Sequence, residues 1–406
     1  MERDDQGGNT HRARLYYAAM SFRGVDYYAI EGLFSEEEIL VRDNVRAFVD
    51  KEILPVIGQC FRDGVPPKDL PRRLGALGVL GANLKGYGCA GLSNVGYGLA
   101  MQELERGDSG VRSFASVQGA LVMWPIHAFG SEEQKERWLP RMARGEAVGC
   151  FGLTEPDFGS NPSGMLTRAV KKGHEWVLSG SKRWITSGSV ADVALVWAKT
   201  DEGLRGFLVE RGTPGFSARD IHGKFSLRAS VTSELVFEEC VLPESAALPG
   251  VKSMRGPLSC LTQARFGIAW GVLGSAMACY DEALSYAKDR VQFSRPIAGY
   301  QLVQQKLVHM LTEITKGQLL ALQLGRLKEA GKLRPEQVSL AKRNNVFHAL
   351  EIARMARDVL GANGITDEYQ CGRHSCNLES VYTYEGTHDI HTLIIGQDIT
   401  GLAAFE

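Results

Sequence analysis

The sequence predicts an α+β protein in three parts: an N-terminal helical domain, a middle β-barrel domain and a C-terminal four-helix bundle. Three observations predict it: helical periodicity follows Ser35, short alternating runs fill the middle third, and long helical patterns return after Gly256. The 406 residues suffice for two to four domains of ordinary size. We place an N-terminal extension over residues 1–30 and domains over 31–148, 149–255 and 256–406.

A capping-box pattern opens the first domain, because Ser35 is followed three residues later by Glu38. The apolar residues that follow recur at helical spacing: Val41, Val45, Phe48 and Val49. Further helices are predicted over 96–106 and 132–143, so this part is helical.

Short alternating segments characterise the middle part, between about Gly149 and Val241. Apolar residues alternate with other residues in two of them: Trp176 and Leu178, then Val193, Leu195 and Trp197. Segments 204–211 and 234–237 add two more strands, with turn-forming residues between them. Because no long helical pattern interrupts these strands, we predict an antiparallel sheet or barrel.

Three long helical patterns make up the last part, over 260–290, 301–330 and 335–360. They end at Pro296, Gly331 and Gly361, where helix-breaking residues occur. Long helices joined by short connections are typical of a bundle.

The composition excludes several classes of function. Forty-six Lys and Arg against 47 Asp and Glu leave a net charge of −1, which argues against binding nucleic acid through a basic surface. No uncharged apolar run reaches 18 residues, so membrane insertion is not expected. Eight cysteines without C-x-x-C spacing suggest reduced thiols. With acidic Glu2, Asp4 and Asp5 at the start, a cytoplasmic protein is preferred over a mitochondrial matrix protein whose presequence is absent.

Three short patterns resemble known motifs without the context that those motifs need. Gly86–Gly91 reads G-x-G-x-x-G, but helical patterns surround it where a dinucleotide site requires flanking strands. His388 and His391 lack further metal ligands nearby in sequence, and Cys371 with Cys376 has the same weakness. We therefore expect no metal site, and a structural or substrate-lining loop at Gly86–Gly91.

Five segments together resemble the acyl-CoA dehydrogenase family, in the family's order and over about 35–405 of the chain. They are FGLTEPDFGS at 151–160, WIT at 184–186, RVQF at 290–293 with Gln301, LGANG at 360–364, and YEGTHD at 384–389. A finer match, through 86–91, ELERGDSGVRS at 103–113 and KFSLRA at 224–229, is to the members that act on glutaryl-CoA. The family's order of helical, β-barrel and bundle domains agrees with the three parts above.

The resemblance implies FAD-dependent oxidation of an acyl-CoA at Cα–Cβ by a homotetramer that passes electrons to electron-transferring flavoprotein. It indicates glutaryl-CoA as the preferred substrate, which would be oxidised and decarboxylated to crotonyl-CoA and carbon dioxide. Alternatives are another short-chain or branched acyl-CoA dehydrogenase and a non-decarboxylating glutaryl-CoA dehydrogenase. A flavin-free structural or acyl-CoA-binding protein of the same architecture is a further alternative, against which the presence of Glu385 argues.

Glu385 matches the family's catalytic glutamate, which removes the α-proton. A buried, partly desolvated carboxylate is a stronger base than a solvated one, and a polarised thioester carbonyl acidifies the α-carbon. The remaining residues expected to bind substrate are Glu105, Arg112, Ser113, Ser160, Arg265, Tyr384 and Gly386.

Arg112 and Ser113 match the pair that receives the distal carboxylate of glutaryl-CoA, and Glu105 and Tyr384 accompany them in decarboxylating members. A buried arginine needs an anion to pair with; the alternative for Arg112 is a surface or interface salt bridge. Glu105 lies seven residues before Arg112 and would be on the same side of a continuous helix, but Gly107 and Gly110 argue against such continuity.

The residues expected at FAD form two groups. The first lies at the flavin: Phe151, Leu153, Thr154, Gly159, Ser160, Trp184, Ile185, Thr186, Thr387, His388 and Asp389. The second matches positions that reach the adenosine diphosphate part across a subunit interface: Arg290, Phe293, Gln301, Asp358, Leu360, Gly361 and Ala362. For Trp184 the alternative is plain core packing. Asn161 departs from the family, which has a carboxylate there, so contacts of that loop are open.

Overall fold

The computed structural model describes residues 22–404, so most of the predicted extension over 1–30 lies outside the described residues. The N-terminal part is helical, as predicted. Its helices are α1 (Glu36–Phe48), α2 (Leu54–Asp63), α3 (Leu70–Ala76), α4 (Asn94–Gly107), α5 (Ser109–Ser116), α6 (Trp124–Phe129) and α7 (Glu132–Ala143). Two π-helical segments, Val49–Ile53 and Val117–Met123, join α1 to α2 and α5 to α6.

Side-chain caps mark the first residues of some helices of this part. Ser35 Oγ accepts a hydrogen bond from the Glu38 backbone N–H at 3.2 Å, and Glu38 Oε2 accepts one from the Ser35 N–H at 2.9 Å. Asp108 separates α4 from α5 with an extended backbone, and its carboxylate accepts the Gly110 N–H at 2.7 Å. The predicted capping box is confirmed, and the chain bends at Asp108 because that residue ends one helix and caps the next.

A curled sheet of seven strands forms the middle part. They are β1 (Gly149–Gly152), β2 (Arg168–Lys172), β3 (Glu175–Thr186), β4 (Val193–Thr200), β5 (Gly203–Glu210), β6 (Phe216–Asp220) and β7 (Thr232–Pro243). The order is β1-β4-β2-β3-β7-β6, with β5 paired to β4. Most pairs are antiparallel as expected, but β1 pairs parallel with β4, and β2 does so at one position. The ends of β1 and β3 bring two of the predicted cofactor segments to one edge.

Five helices form the C-terminal part: α8 (Arg255–Asp289), α9 (Gln301–Glu329), α10 (Pro335–Val359), α11 (Cys371–Thr383) and α12 (His388–Thr400). A two-stranded hairpin, β8 (Val291–Gln292) and β9 (Arg295–Pro296), follows α8. Helix α8 begins earlier than predicted because Pro257 is tolerated within a first helical turn.

Helix α8 is the centre of the molecule. Every residue from Phe266 to Cys279 is buried, as expected for a helix that is apolar all round. A Cβ on Gly274 would lie 1.8 Å from the Gln102 carbonyl oxygen of α4, so glycine permits the close crossing of these helices. Within 22–404, no helix is long and apolar enough to cross a membrane.

Candidate active site

A short loop between α11 and α12, residues 384–386, carries Glu385. Glu385 has a left-handed backbone conformation, with φ +55°, which residues other than glycine rarely adopt. Three hydrogen bonds hold the loop. Lys342 Nζ of α10 donates to the Tyr384 carbonyl at 3.0 Å and to the Gly386 carbonyl at 2.7 Å, and Arg265 Nε of α8 donates to the Glu385 carbonyl at 2.7 Å. Two buried cations therefore hold the backbone of the loop that carries Glu385.

Burial and the nearby cations shift the pKa of Glu385 in opposite directions. Burial raises the pKa of Glu385, while Arg112, Lys342 and Arg265 nearby lower it. Burial also lowers the pKa of Lys342 to about 7 and lowers that of Arg265 from its ordinary value. Within the described part of the chain, Glu385 Oε2 is buried and accepts no hydrogen bond. A desolvated carboxylate with a free oxygen is a suitable general base.

The absence of a side chain at Gly386 allows His391 and Arg265 to pack closely against the Glu385 loop. Gly386 has φ +94°, and a Cβ there would lie 2.9 Å from His391 Nε2 and 3.2 Å from Arg265 Nη2. Burial lowers the pKa of His391 to about 2, helped by the positive charges of Lys342 and Arg265, so its ring is neutral at pH 7. Thr387 caps α12, since its hydroxyl accepts the Ile390 N–H at 3.2 Å.

A second buried cluster lies against the same loop. Arg112 Nε donates to Glu105 Oε2 at 2.6 Å, with both side chains fully buried, and Arg112 Nη2 donates to the Tyr384 hydroxyl. Burial alone would lower the pKa of Arg112, but Glu105 and Tyr384 raise it above its ordinary value. A Cβ on Gly271 would lie 2.3 Å from Glu105 Oε2, so glycine in α8 makes room for this pair.

The environment of Arg112 does not fully match either of the two expectations, which were a substrate carboxylate and a surface or interface salt bridge. It forms a salt bridge, but a fully buried one with Glu105, and the pairing occurs although the helix is interrupted between them. Its burial therefore does not by itself require a substrate carboxylate. However, within 22–404 Arg112 Nη1 and Glu105 Oε1 are buried without hydrogen-bond partners, as is the nearby Tyr97 hydroxyl. Buried polar atoms left in this way indicate a ligand site. Ser113, next to Arg112, is also buried.

The ends of β1 and β3 are tied together at the first predicted cofactor group. The Arg183 N–H donates to the Thr154 carbonyl at 2.8 Å. Lys182 Nζ donates to the Leu153 carbonyl at 3.0 Å and to Glu155 Oε1 at 2.9 Å. Burial lowers the pKa of Lys182 to about 8, against the opposing effect of Glu155. This buried ion pair fixes the loop that follows β1.

Trp184 is not a core residue, so the core-packing alternative is wrong. Its side chain is 56% exposed, and its backbone is left-handed with φ +63°. The Arg183 guanidinium lies 5.4 Å from its ring centroid. An exposed, strained tryptophan at a strand end is suited to pack against a flat ring. Elsewhere in these two segments, Phe151, Leu153 and Ile185 are buried, Thr154 and Thr186 are half-buried, and Gly159, Ser160 and Asn161 are exposed.

The second predicted cofactor group lies at one end of the C-terminal helices. Asn363 Nδ2 donates to the Tyr286 hydroxyl at 3.0 Å, and the Arg290 N–H donates to the Tyr286 carbonyl at 2.9 Å, so the loop after α10 lies beside the end of α8. Lys306 of α9 pairs with Asp358. Phe293 is 91% exposed with φ +50°. Arg290, Gln301, Gly361 and Ala362 are exposed as well, whereas Leu360 is buried.

Lys342 is the most important of the site residues that the sequence motifs did not indicate. It lies in a helical stripe whose other members are buried: Val338, Asn345, Val346 and Ala349. A lysine within an apolar stripe is the signal that could have indicated it, since a buried cation requires partners.

The remaining short patterns have structural explanations. Gly86–Gly91 forms a loop between α3 and α4 with no strand before it in the described residues. His388 stacks on Tyr382, with ring centroids 4.8 Å apart, while Asp389 is exposed. Cys371 is a buried thiol whose pKa is raised by burial.

Comparisons with known proteins match this arrangement. Three family models cover most of the chain: acyl-CoA dehydrogenase N-terminal domain over 35–146, middle domain over 150–240 and C-terminal domain over 254–400. The chain belongs to the acyl-CoA dehydrogenase family. The human mitochondrial short-chain specific acyl-CoA dehydrogenase is 33% identical over 377 residues, which are 91% of each chain.

Solved acyl-CoA dehydrogenase structures resemble this one more closely. Glutaryl-CoA dehydrogenase from Mycobacterium smegmatis is 60% identical with a TM-score of 0.93, covering 95% of this chain and 100% of that one. A glutaryl-CoA dehydrogenase from the same organism, in complex with FADH2, is 54% identical with the same TM-score, covering 94% and 99%. The predicted family, fold class and dehydrogenase activity are confirmed.

Proposed function

We propose that the protein is an FAD-dependent glutaryl-CoA dehydrogenase that releases carbon dioxide and crotonyl-CoA. One observation carries the proposal: fully buried Arg112, paired with Glu105 and Tyr384, lies in the same cluster as Glu385, and Arg112 and Glu385 each have a buried polar atom without a partner. The 60% identity to a glutaryl-CoA dehydrogenase supports the choice of substrate.

Glu385 removes the α-proton of the thioester. Its raised pKa makes it a stronger base than a solvated glutamate, while Lys342 and Arg265 keep the carboxylate charged often enough to act. Both cations also hold the loop, so the base stays aimed at one point. Gly386 lacks a side chain and so lets Arg265 and His391 pack against this loop.

Arg112 receives the distal carboxylate of glutaryl-CoA through Nη1, while Glu105 holds Nε on its other side. Loss of carbon dioxide breaks the bond between that carboxylate and the γ-carbon and leaves the electron pair delocalised toward the thioester carbonyl. Glu385, now protonated, returns its proton to the γ-carbon. The raised pKa of Glu385 suits this second role, because the acid form is stabilised by burial.

FAD, when bound, supplies the acceptor for the hydride that leaves the β-carbon. The residues present fit such a cofactor, because Trp184 and Phe293 are large, exposed aromatic side chains in left-handed conformations that packing within the chain does not explain. Trp184, Thr154 and Thr186 would lie at the ring system. Arg290 and Gln301 would bind the diphosphate end in a neighbouring subunit of a homotetramer, since an arginine fork suits phosphate oxygens. Electron-transferring flavoprotein would accept the electrons.

A substrate panel tests the proposal. The purified protein should show the visible absorption of oxidised flavin, and anaerobic glutaryl-CoA should bleach it faster than butyryl-CoA or isovaleryl-CoA does. Faster bleaching by either monocarboxylic thioester would favour another short-chain or branched acyl-CoA dehydrogenase. Accumulation of glutaconyl-CoA would favour a non-decarboxylating enzyme instead.

A further inference from the structure

A polar cluster that the proposed reaction does not use lies between α9 and α10. His309 and Glu313 are one helical turn apart on α9, and His348 faces them from α10. One candidate ligand atom from each residue lies within 4.8 Å of the other two. His309 is exposed, His348 is partly buried, and Glu313 is 8% exposed, so the cluster opens to the surface at one side.

Glu313 is incompletely satisfied for a carboxylate that is more than nine-tenths buried. Lys316 Nζ donates to Oε1 at 2.7 Å. Oε2 is buried and, within the described part of the chain, accepts no hydrogen bond, although His348 Nε2 lies 3.3 Å away. A buried carboxylate oxygen is costly without a partner, which points to a ligand.

We propose that His309, Glu313 and His348 form a binding site for a divalent transition-metal ion of the zinc type, although the sequence led us to expect no metal site. Two imidazoles and one carboxylate are a ligand set that zinc uses, with a further position left for water. Ligands at about 2.1 Å in tetrahedral geometry are about 3.4 Å apart, and the 3.3 Å between Glu313 Oε2 and His348 Nε2 already matches. Rotation of exposed His309 completes the set.

The charge of Lys316 and the hydrogen bonding of His348 indicate how tightly the ion binds. Lys316 competes with the ion for Glu313 and repels it, since both are cations. His348 Nδ1 is buried and has no acceptor among the described residues, so the hydrogen bond that usually orients a ligating imidazole is missing. The affinity is therefore expected to be moderate, and removing Lys316 should increase it. The ion would link α9 to α10 without touching the Glu385 loop.

Metal titration of the chelator-treated holoenzyme tests the site. Zinc affinity is measured by competition with a chromophoric chelator, and cobalt(II) serves as a spectroscopic probe of tetrahedral coordination. We expect one ion per subunit, a loss of at least tenfold in affinity for His309→Ala and for His348→Ala, and a several-fold gain for Lys316→Met. His174→Ala, which removes a fully exposed histidine elsewhere, is the matched control and should bind as the wild type does.

The outcomes separate the site from general metal binding by other histidines and cysteines. Zinc should raise the thermal midpoint of the wild type and not that of His309→Ala. Binding that is unchanged in both histidine variants, or no stoichiometric binding at all, would overturn the proposal. So would a decrease in affinity for Lys316→Met, because that variant removes only a competing cation.

Discussion

Lys342→Met tests whether the buried lysine positions the base. Methionine keeps most of the length of the side chain and removes the two hydrogen bonds to the Tyr384 and Gly386 carbonyls. Hydrogen bonds from a charged donor contribute about 1.5–3 kcal/mol each. Two of them at the lower end correspond to about 3 kcal/mol, or roughly a hundredfold in rate. We therefore expect the rate of flavin reduction to fall about a hundredfold with FAD still bound.

The pH profile distinguishes positioning from a merely structural role. The Lys342 cation lowers the pKa of Glu385, so its removal should raise that pKa further. Glu385 must be ionised to accept the proton, and the acidic limb of kcat/KM should therefore move to higher pH. Rapid-mixing measurements of flavin reduction across pH provide both readouts.

Lys328→Met is the matched control, because Lys328 is a second lysine with a buried ammonium, lying 4.1 Å from the Phe266 ring centroid and away from the loop. This variant should reduce its flavin at the wild-type rate. If Lys342→Met did the same, with an unchanged acidic limb, the positioning role of Lys342 would be refuted.

Three further predictions follow from the site and its surroundings. Glu385→Gln should retain FAD and lose at least about a thousandfold in turnover, since no other base replaces it; normal turnover would disprove the assignment. The double variant Arg112→Met with Glu105→Gln removes both charges, so neither is left buried alone, and it should raise the KM for glutaryl-CoA far more than that for butyryl-CoA; equal effects would make the pair structural. Lys328→Met should also stabilise the protein. Burial lowers the pKa of Lys328 from 10.5 to about 7, so the folded state binds this proton less tightly than the unfolded state. Wild-type stability therefore rises with pH across that interval. The gain in the variant is up to about 4 kcal/mol at pH 7 and should shrink toward pH 10.5, as thermal midpoints measured across pH would check; a gain independent of pH would contradict this account.

The sequence predicted the architecture well because periodicity and capping are local properties. The capping box at Ser35 and the long patterns of α8, α9 and α10 depend on residues a few positions apart. The parallel pairing of β1 with β4 was not predictable in this way. It joins segments more than forty residues apart, and short apolar runs do not specify their partners.

In the candidate site, too, sequence motifs indicated some residues, whereas others depend on tertiary packing. Glu385 and Arg112 were indicated by motifs, whereas Lys342 acts on a loop 42 residues away and Gly271 acts by lacking a side chain beside Glu105. Both contributions depend on how helices α4, α8 and α10 pack against one another in the folded chain. The burial of Arg112 was expected, but its neutralisation by Glu105 depends on a bend at Asp108 that the spacing alone does not give.

Carbon dioxide released in a single anaerobic turnover tests the central claim most directly. Enzyme is mixed with glutaryl-CoA without an electron acceptor, and flavin bleaching, carbon dioxide and the acyl product are measured together. We predict one carbon dioxide and one crotonyl-CoA for each flavin reduced, with both signals lost in Glu385→Gln. Bleaching without carbon dioxide, or no bleaching by glutaryl-CoA where butyryl-CoA succeeds, would contradict the account.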